Sequence, residues 1–279
     1  MIFAWVLRGG RQIALSALVM GGPAWAQTGA SSVPPSAPAS QDQAPAAKAS
    51  GVAAKAEAGS STDSYGLQPG EDPENRLVSP FLKHLVTDQQ QFWTSPARFQ
   101  TKDLKWILPG AGVTAAFIAT DSWWSKQVPL SHVATSKTVS DYGTYSFIGL
   151  GGASFLLGQI KHDDHLSEAG LLAGEAAINA TAVAYAFKEI TQRQRPYQGN
   201  GHGDFFKGGA SFPSEHSAVA WSVASVWAHE YPGWFSQMAA YGLASTITIT
   251  RVTAKQHFPS DVIIGSALGW YFGRQVYRA

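Results

Sequence analysis

The sequence predicts an all-α protein, a helical bundle of about six core helices, and three observations carry that prediction. After Thr101 the chain is a succession of apolar segments, most of them roughly 15 residues long. The residue-by-residue alternation that marks half-buried strands is hard to find among them. Helix breakers separate the segments: Pro129, the Gly199–Gly209 cluster and Pro232-Gly233.

In chain order, Met1–Ala26 reads as a secretory signal peptide. Arg8 and Arg11 supply the positive region, Ile13–Met20 a short apolar core, and Ala24-Trp25-Ala26 the small residues before a cleavage point. An uncleaved anchor helix is the other reading, but that core falls short of the roughly 20 residues a bilayer requires. Gln27–Gly70 is dominated by Ala, Pro, Ser, Gly and Gln and reads as a disordered linker, because it has too little apolar surface to offset the entropy of ordering it. Residues 71–101 form a peripheral N-terminal segment in which Val78–Phe92 is amphipathic. Helices are expected at Leu104–Thr120, Tyr145–Ile160, Glu168–Ile190, Ser214–Glu230, Trp234–Thr250 and Ser260–Tyr277. Several are apolar nearly all round, which fits either a buried core or a membrane span. Their length and the topology an exported N-terminus would impose favour a soluble or peripheral bundle.

The formal net charge of +1 gives no field for nucleic acid, and the chain of 279 residues contains no cysteine, which excludes disulfides and thiol catalysis. The expected location is exported, periplasmic or extracellular, with a membrane surface as a candidate partner.

Chemistry concentrates in three stretches of the last third: Lys188-x6-Arg195-Pro196, Pro213-Ser214-Glu215-His216 and Arg251-x5-His257-x3-Asp261. Pro196 turns Arg195 away from helical geometry, so Lys188 ends a helix and Arg195 lies just beyond it. The pair offers a compact charge and a planar fork to an oxyanion. Ser214 reads as the N-cap of the next helix, with the amides of Glu215 and His216 free for an anion. Asp261, four residues past His257, can fix one imidazole nitrogen and leave the other as a nucleophile. Each stretch alone has an ordinary reading, as a basic helix end, a cap or a polar loop. Together they supply three cations, two histidines and a carboxylate in the set that phosphoryl transfer needs.

These stretches resemble the signature of the type 2 phosphatidic acid phosphatase and vanadium haloperoxidase superfamily, Lys-x6-Arg-Pro, Pro-Ser-Gly-His and Ser-Arg-x5-His-x3-Asp. The resemblance implies a helical catalytic domain over residues 102–279 and metal-independent hydrolysis of a phosphomonoester or pyrophosphate, on a small molecule or a lipid. It implies His257 as nucleophile, Asp261 as its support and His216 as general acid and base. Lys188, Arg195, Ser214 and Arg251 would hold the phosphate. No cofactor is implied, and vanadate is expected as an inhibitor. A vanadate-dependent haloperoxidase using the same anion pocket is the alternative. Two positions depart from the signature: Thr250 stands for Ser, and Glu215 for Gly. An outward-facing Glu215 is expected, since a carboxylate would repel a bound phosphate.

Other features are weaker. Lys161-His162-Asp163-Asp164-His165 has metal-ligand residue types but reads as a helix-connecting loop, and no metal is expected. Glu175 is a candidate buried partner for a site cation. His202 and Asp204 fall in a glycine-rich loop, and Trp106, Trp123 and Trp124 suit either packing or a membrane interface.

Overall fold

The computed structural model describes residues 79–278, so the signal peptide and linker expected over 1–70 lie outside the described residues, as do residues 71–78 of the N-terminal segment. Seven helices make up the described part: α1 Ser79–Thr94, α2 Leu104–Gln127, α3 Val133–Lys161, α4 Asp164–Thr191, α5 Glu215–Glu230, α6 Trp234–Thr253 and α7 Pro259–Arg278. No strand occurs among the described residues, so the fold is all-α. Breaks fall where the chain cannot continue a helix. Pro129 forces Val128 into extended geometry after α2, and Gln192 takes a left-handed conformation after α4, its amide donating to the Lys188 carbonyl at 2.9 Å.

The expected helices are all present, but α3 starts at Val133, well before the expected Tyr145. Its first three turns are polar, so no apolar period announces them. They bury Ser136, Ser140 and Thr144, and the hydroxyls bond within the helix, Ser140 to Lys137 O and Thr144 to Ser140 O. This polar extension carries Asp141, which matters below.

Helix α5 is the axis of the bundle, packed by α7, α4, α6 and α3. Its buried side is small, with Ala218, Ala220, Val223, Ala224 and Val226, so its neighbours approach closely. On α7, Gly265, Gly269 and Gly273 recur every fourth residue, one per turn. A Cβ on these glycines would run into the carbonyl oxygens of Ser214, Ala218 and Ser222 respectively. This backbone-to-backbone seam fixes where the N-termini of α5 and α7 sit relative to each other, and the candidate site lies at that end.

Helix α1 packs against α4 and α7. Asp88 accepts from Asn179 at 2.8 Å and from Gln275 at 2.9 Å, while Gln89 donates to Asn179. Glu175 belongs to this buried cluster and not to any site cation, contrary to the sequence expectation. Burial, with Asp88 adjacent, pushes its carboxyl up to about 8, and His84 Nδ1 lies 3.9 Å from its Oε1. The Lys161–His165 stretch is a helix junction: His162 is left-handed, Asp163 caps α4, and His165 pairs with Glu230 at 3.0 Å. One helix of the described residues, α4, is long and apolar enough to cross a membrane, and over half of its apolar window is buried in the bundle.

The α5–α7 seam makes a direct prediction. Gly269→Ala should destabilise the fold by about 1–3 kcal/mol through overpacking, read as a lower midpoint in thermal unfolding. An unchanged midpoint would mean the helices can separate at this point.

Candidate functional site

The three stretches converge at one end of the bundle. Lys188 comes from the last turn of α4, and Ser214 to His216 from the start of α5. Arg251 comes from the last turn of α6, and His257 to Asp261 from the entry to α7. The Arg251 charge acts on both histidines, that of Lys188 on His216 and that of Arg195 on His257, and His257 acts on His216.

Ser214 is fully buried and caps α5, its Oγ accepting from Ser217 N at 3.4 Å and Ser217 Oγ at 3.1 Å. The amides of Glu215 and His216 then belong to the first turn, where no helical carbonyl precedes them. Arg195 is steered by amides, donating from Nη1 to Gln256 Oε1 at 2.8 Å while its own N–H donates to Gln198 Oε1 at 2.8 Å. Arg251 donates from Nη1 to Asp141 Oδ1 at 2.7 Å and to Ser140 Oγ at 3.2 Å. Its Nε is buried and has no partner among the described residues. A buried guanidinium N–H without an acceptor is costly, and an oxyanion would satisfy it along the guanidinium edge that Asp141 leaves open.

His257 is 1% exposed, and its Nδ1 lies 2.7 Å from the Ser211 carbonyl, which can only accept. Nδ1 therefore carries the proton and Nε2 the free lone pair. Asp261 is 3.7 Å from Nδ1, so its hold on the ring is largely indirect. Its Oδ2 accepts from the Ser211 hydroxyl and from Phe258 N at 2.8 Å, fixing the two segments that flank the imidazole. Burial pushes this carboxyl up, but His257, the Arg193 charge and the Ser211 hydroxyl outweigh it and hold the group below the usual carboxylate range. His216 Nε2 lies 3.2 Å from Asp141 Oδ1. Burial, reinforced by nearby positive charge, depresses both rings, His216 to about 3 and His257 to about 4. Both are neutral near pH 7.

Two functional residues escape the sequence reading. Asp141 anchors Arg251 and His216 together and also takes Lys137. Arg193, inside the first stretch, is 1% exposed and bonds Asp261 Oδ1 at 2.6 Å, Asp121 Oδ2 at 2.7 Å, Ser260 Oγ at 2.7 Å and Gly203 O at 3.0 Å. The rings of Phe205 and Phe258 cover it at 4.8 and 4.5 Å. Its basic neighbour Arg195 hides it in the sequence; the available signal was an arginine that no solvent-facing role required. A third difference concerns Glu215. It does not turn away, because its Oε2 accepts from Lys188 Nζ at 2.7 Å. His202 and Asp204 stay within their own loop, His202 N donating to Asn200 and Asp204 O accepting from Gln194 N.

Residues 169–279 match the model of the PAP2 superfamily. A 70-residue stretch is 37% identical to the Lipid A 1-phosphatase of Porphyromonas gingivalis, covering 24% of this chain and 16% of that protein's length. Among solved structures, LpxE of Aquifex aeolicus superposes with a TM-score of 0.44 at 17% identity, over 56% of this chain and 92% of that one. A transmembrane PAP2 type phosphatidylglycerolphosphate phosphatase from Bacillus subtilis gives a TM-score of 0.43 at 20% identity, over 70% and 92% of the two chains.

Arg193 neutralises two carboxylates that are both fully buried, Asp121 and Asp261. Arg193→Met should therefore destabilise the fold by about 3–5 kcal/mol, seen as a shift in a denaturant midpoint. A near-neutral change would show that Asp121 and Asp261 find other partners.

Proposed function

Starting from the membership of residues 169–279 in the PAP2 superfamily, we propose that the chain is a metal-independent phosphatase acting on a phosphomonoester or pyrophosphate through a phosphohistidine intermediate. The observation that carries the reading is His257: buried, with Nδ1 committed to Ser211 O, it presents Nε2 as a nucleophile within the field of Arg195 and Arg251.

In this mechanism the phosphoryl group lies among Lys188, Arg195, Arg251 and the first amides of α5, which stabilise charge on its non-bridging oxygens. Nε2 of His257 attacks phosphorus and the bond to the leaving oxygen breaks. His216 gives that oxygen a proton, then takes one from the water that hydrolyses the phosphohistidine, releasing phosphate and restoring both rings. His216 is neutral in the empty site, mainly through burial. A bound phosphate offsets the Arg251 charge beside it and raises its proton affinity.

The proposed substrate class is a lipid-borne phosphate at a membrane surface. One support is the similarity to a Lipid A 1-phosphatase over 70 residues. Another is a groove of about 780 Å³ between α2, α3, α6 and α7, walled by Trp124, Val128, Val252, Val262 and Ile263 and reaching Ser136, one turn from Ser140. A third is the exposure of large apolar side chains on α2, α3 and α6, among them Trp123, Ile148, Leu156, Ile160, Trp234 and Phe235. Export to the periplasm or exterior follows from the signal-like N-terminus and is part of the proposal.

The first test is hydrolysis of a generic soluble phosphomonoester by the purified chain with EDTA present. Turnover should survive chelation and fall by on the order of 10²-fold or more in His257→Ala. Activity that needs a divalent cation, or that persists in the variant, sinks the mechanism.

The pH dependence follows from the two histidines. His257 must be neutral to attack, and its depressed value of about 4 keeps it so through the mildly acidic range. His216 must carry a proton, which falling pH favours. The value of kcat/KM should therefore be higher at about pH 5 than at about pH 8. A profile that rises toward alkaline pH would remove His216 from the general-acid role.

A further inference from the structure

Two carboxylates reach the cations of the proposed pocket, in different ways. Asp141 belongs to the scaffold, since one oxygen joins Arg251 to His216 from the body of α3. Glu215 is the first residue of α5, between the buried cap Ser214 and the candidate acid His216. Its partner Lys188 has a side chain 9% exposed, whereas the Glu215 side chain is 39% exposed. The lysine is thus inside, and the carboxylate covers it from the solvent side. The Glu215 charge also acts on Arg251. A carboxylate oxygen therefore lies on Lys188 Nζ at 2.7 Å, a partner a phosphate oxygen requires, and it reaches there from the first residue of α5.

We infer that, on the phosphatase reading, Glu215 is a specificity-determining internal competitor for the phosphate pocket. Its carboxylate holds Lys188 while the site is empty, leaves when a substrate phosphoryl group enters, and returns as free phosphate departs. Phosphate and carboxylate cannot share Lys188 without like-charge repulsion. The displaced carboxylate still lies at the N-terminal end of α5, where negative charge is favoured, so part of the cost of its departure is recovered. A substrate with a large apolar group offsets that cost through contacts away from phosphorus. Inorganic phosphate has no such contacts and binds weakly. Glu215 thereby selects phosphate that is attached to something larger and limits retention of the product.

An ion pair that merely positions Lys188 would have the opposite signature, because removing Glu215 would loosen the lysine and weaken anion binding. The sign of the affinity change separates the two roles. Calorimetric titration of inorganic phosphate into the full chain, Glu215→Gln and Glu215→Gly should show both variants binding on the order of tenfold more tightly. Glu215→Gln keeps the side-chain size at the start of α5, so a folded comparison is available even if Glu215→Gly perturbs the helix. Turnover of the soluble ester by the unmodified chain is measured alongside. If that turnover occurs and phosphate affinity is unchanged or weaker in the variants, the competitor role is wrong and the phosphatase reading stands. If there is neither turnover nor phosphate binding in any of the three proteins, both fail together.

Discussion

The guanidinium of Arg193 is the constraint on which the rest of the site depends. It lies at the meeting point of α2, through Asp121, of α7, through Ser260 and Asp261, and of the glycine-rich loop, through the Gly203 carbonyl. Two buried carboxylates and one buried cation are tolerable only as a set, since each alone would bear an uncompensated desolvation cost. That requirement holds Asp261 in place, and Asp261 in turn fixes the Ser211 hydroxyl and Phe258 N. Ser211 and Phe258 flank His257, so its orientation is inherited from an ion network that the imidazole itself barely touches. The Phe205 and Phe258 rings close the faces of the guanidinium, keeping water from weakening the network.

The glycine seam between α5 and α7 complements this network at the level of the backbone. Close approach at Gly265 places the start of α7 against Ser214, and the Ser214 amide donates to the Asp261 carbonyl at 2.9 Å. The cap of α5 and the support of His257 are thus one hydrogen bond apart. The first amides of α5, proposed to bind phosphate, and His257 at the entry to α7, the proposed nucleophile, are held in mutual register by main chain. Such rigidity is what a site needs if positioning is to supply much of the rate enhancement.

Much of this was legible in the sequence, for physical reasons. Lys188, Ser214, His216, Arg251 and Asp261 sit in the cap or the terminal turn of a helix and Arg195 and His257 in the loops just outside, so each stretch carries its own local spacing. The apolar helices α4 to α7 announce themselves by composition. What escaped reading depends on long-range pairing or on polar burial. Asp141 lies 110 residues from Arg251, and Asp121 lies 72 from Arg193. The first turns of α3 carry hydroxyls in place of an apolar stripe, so neither the helix nor its carboxylate is visible to periodicity. Glu215 was misjudged because a general argument, repulsion from a future phosphate, ignores the pocket before the phosphate arrives. In the empty pocket three cations converge, and a nearby carboxylate is drawn to them.

The charges around the pocket sharpen that last point. With both histidines neutral, Lys188, Arg195 and Arg251 face Asp141 and Glu215, and Asp141 is shared with Lys137, so the positive groups of the empty pocket outnumber the negative ones. Asp141 is shared between Arg251 and His216 and cannot leave without releasing both. Glu215 makes a single contact from an exposed position and can. On the proposed reading its departure frees one positive charge as the phosphate dianion enters. In the empty site Glu215 tempers this excess, so Lys188 does not stand unpaired beside two depressed histidines. Folding and anion binding make opposite demands on this cluster, and the proposed displacement of Glu215 would satisfy them in turn.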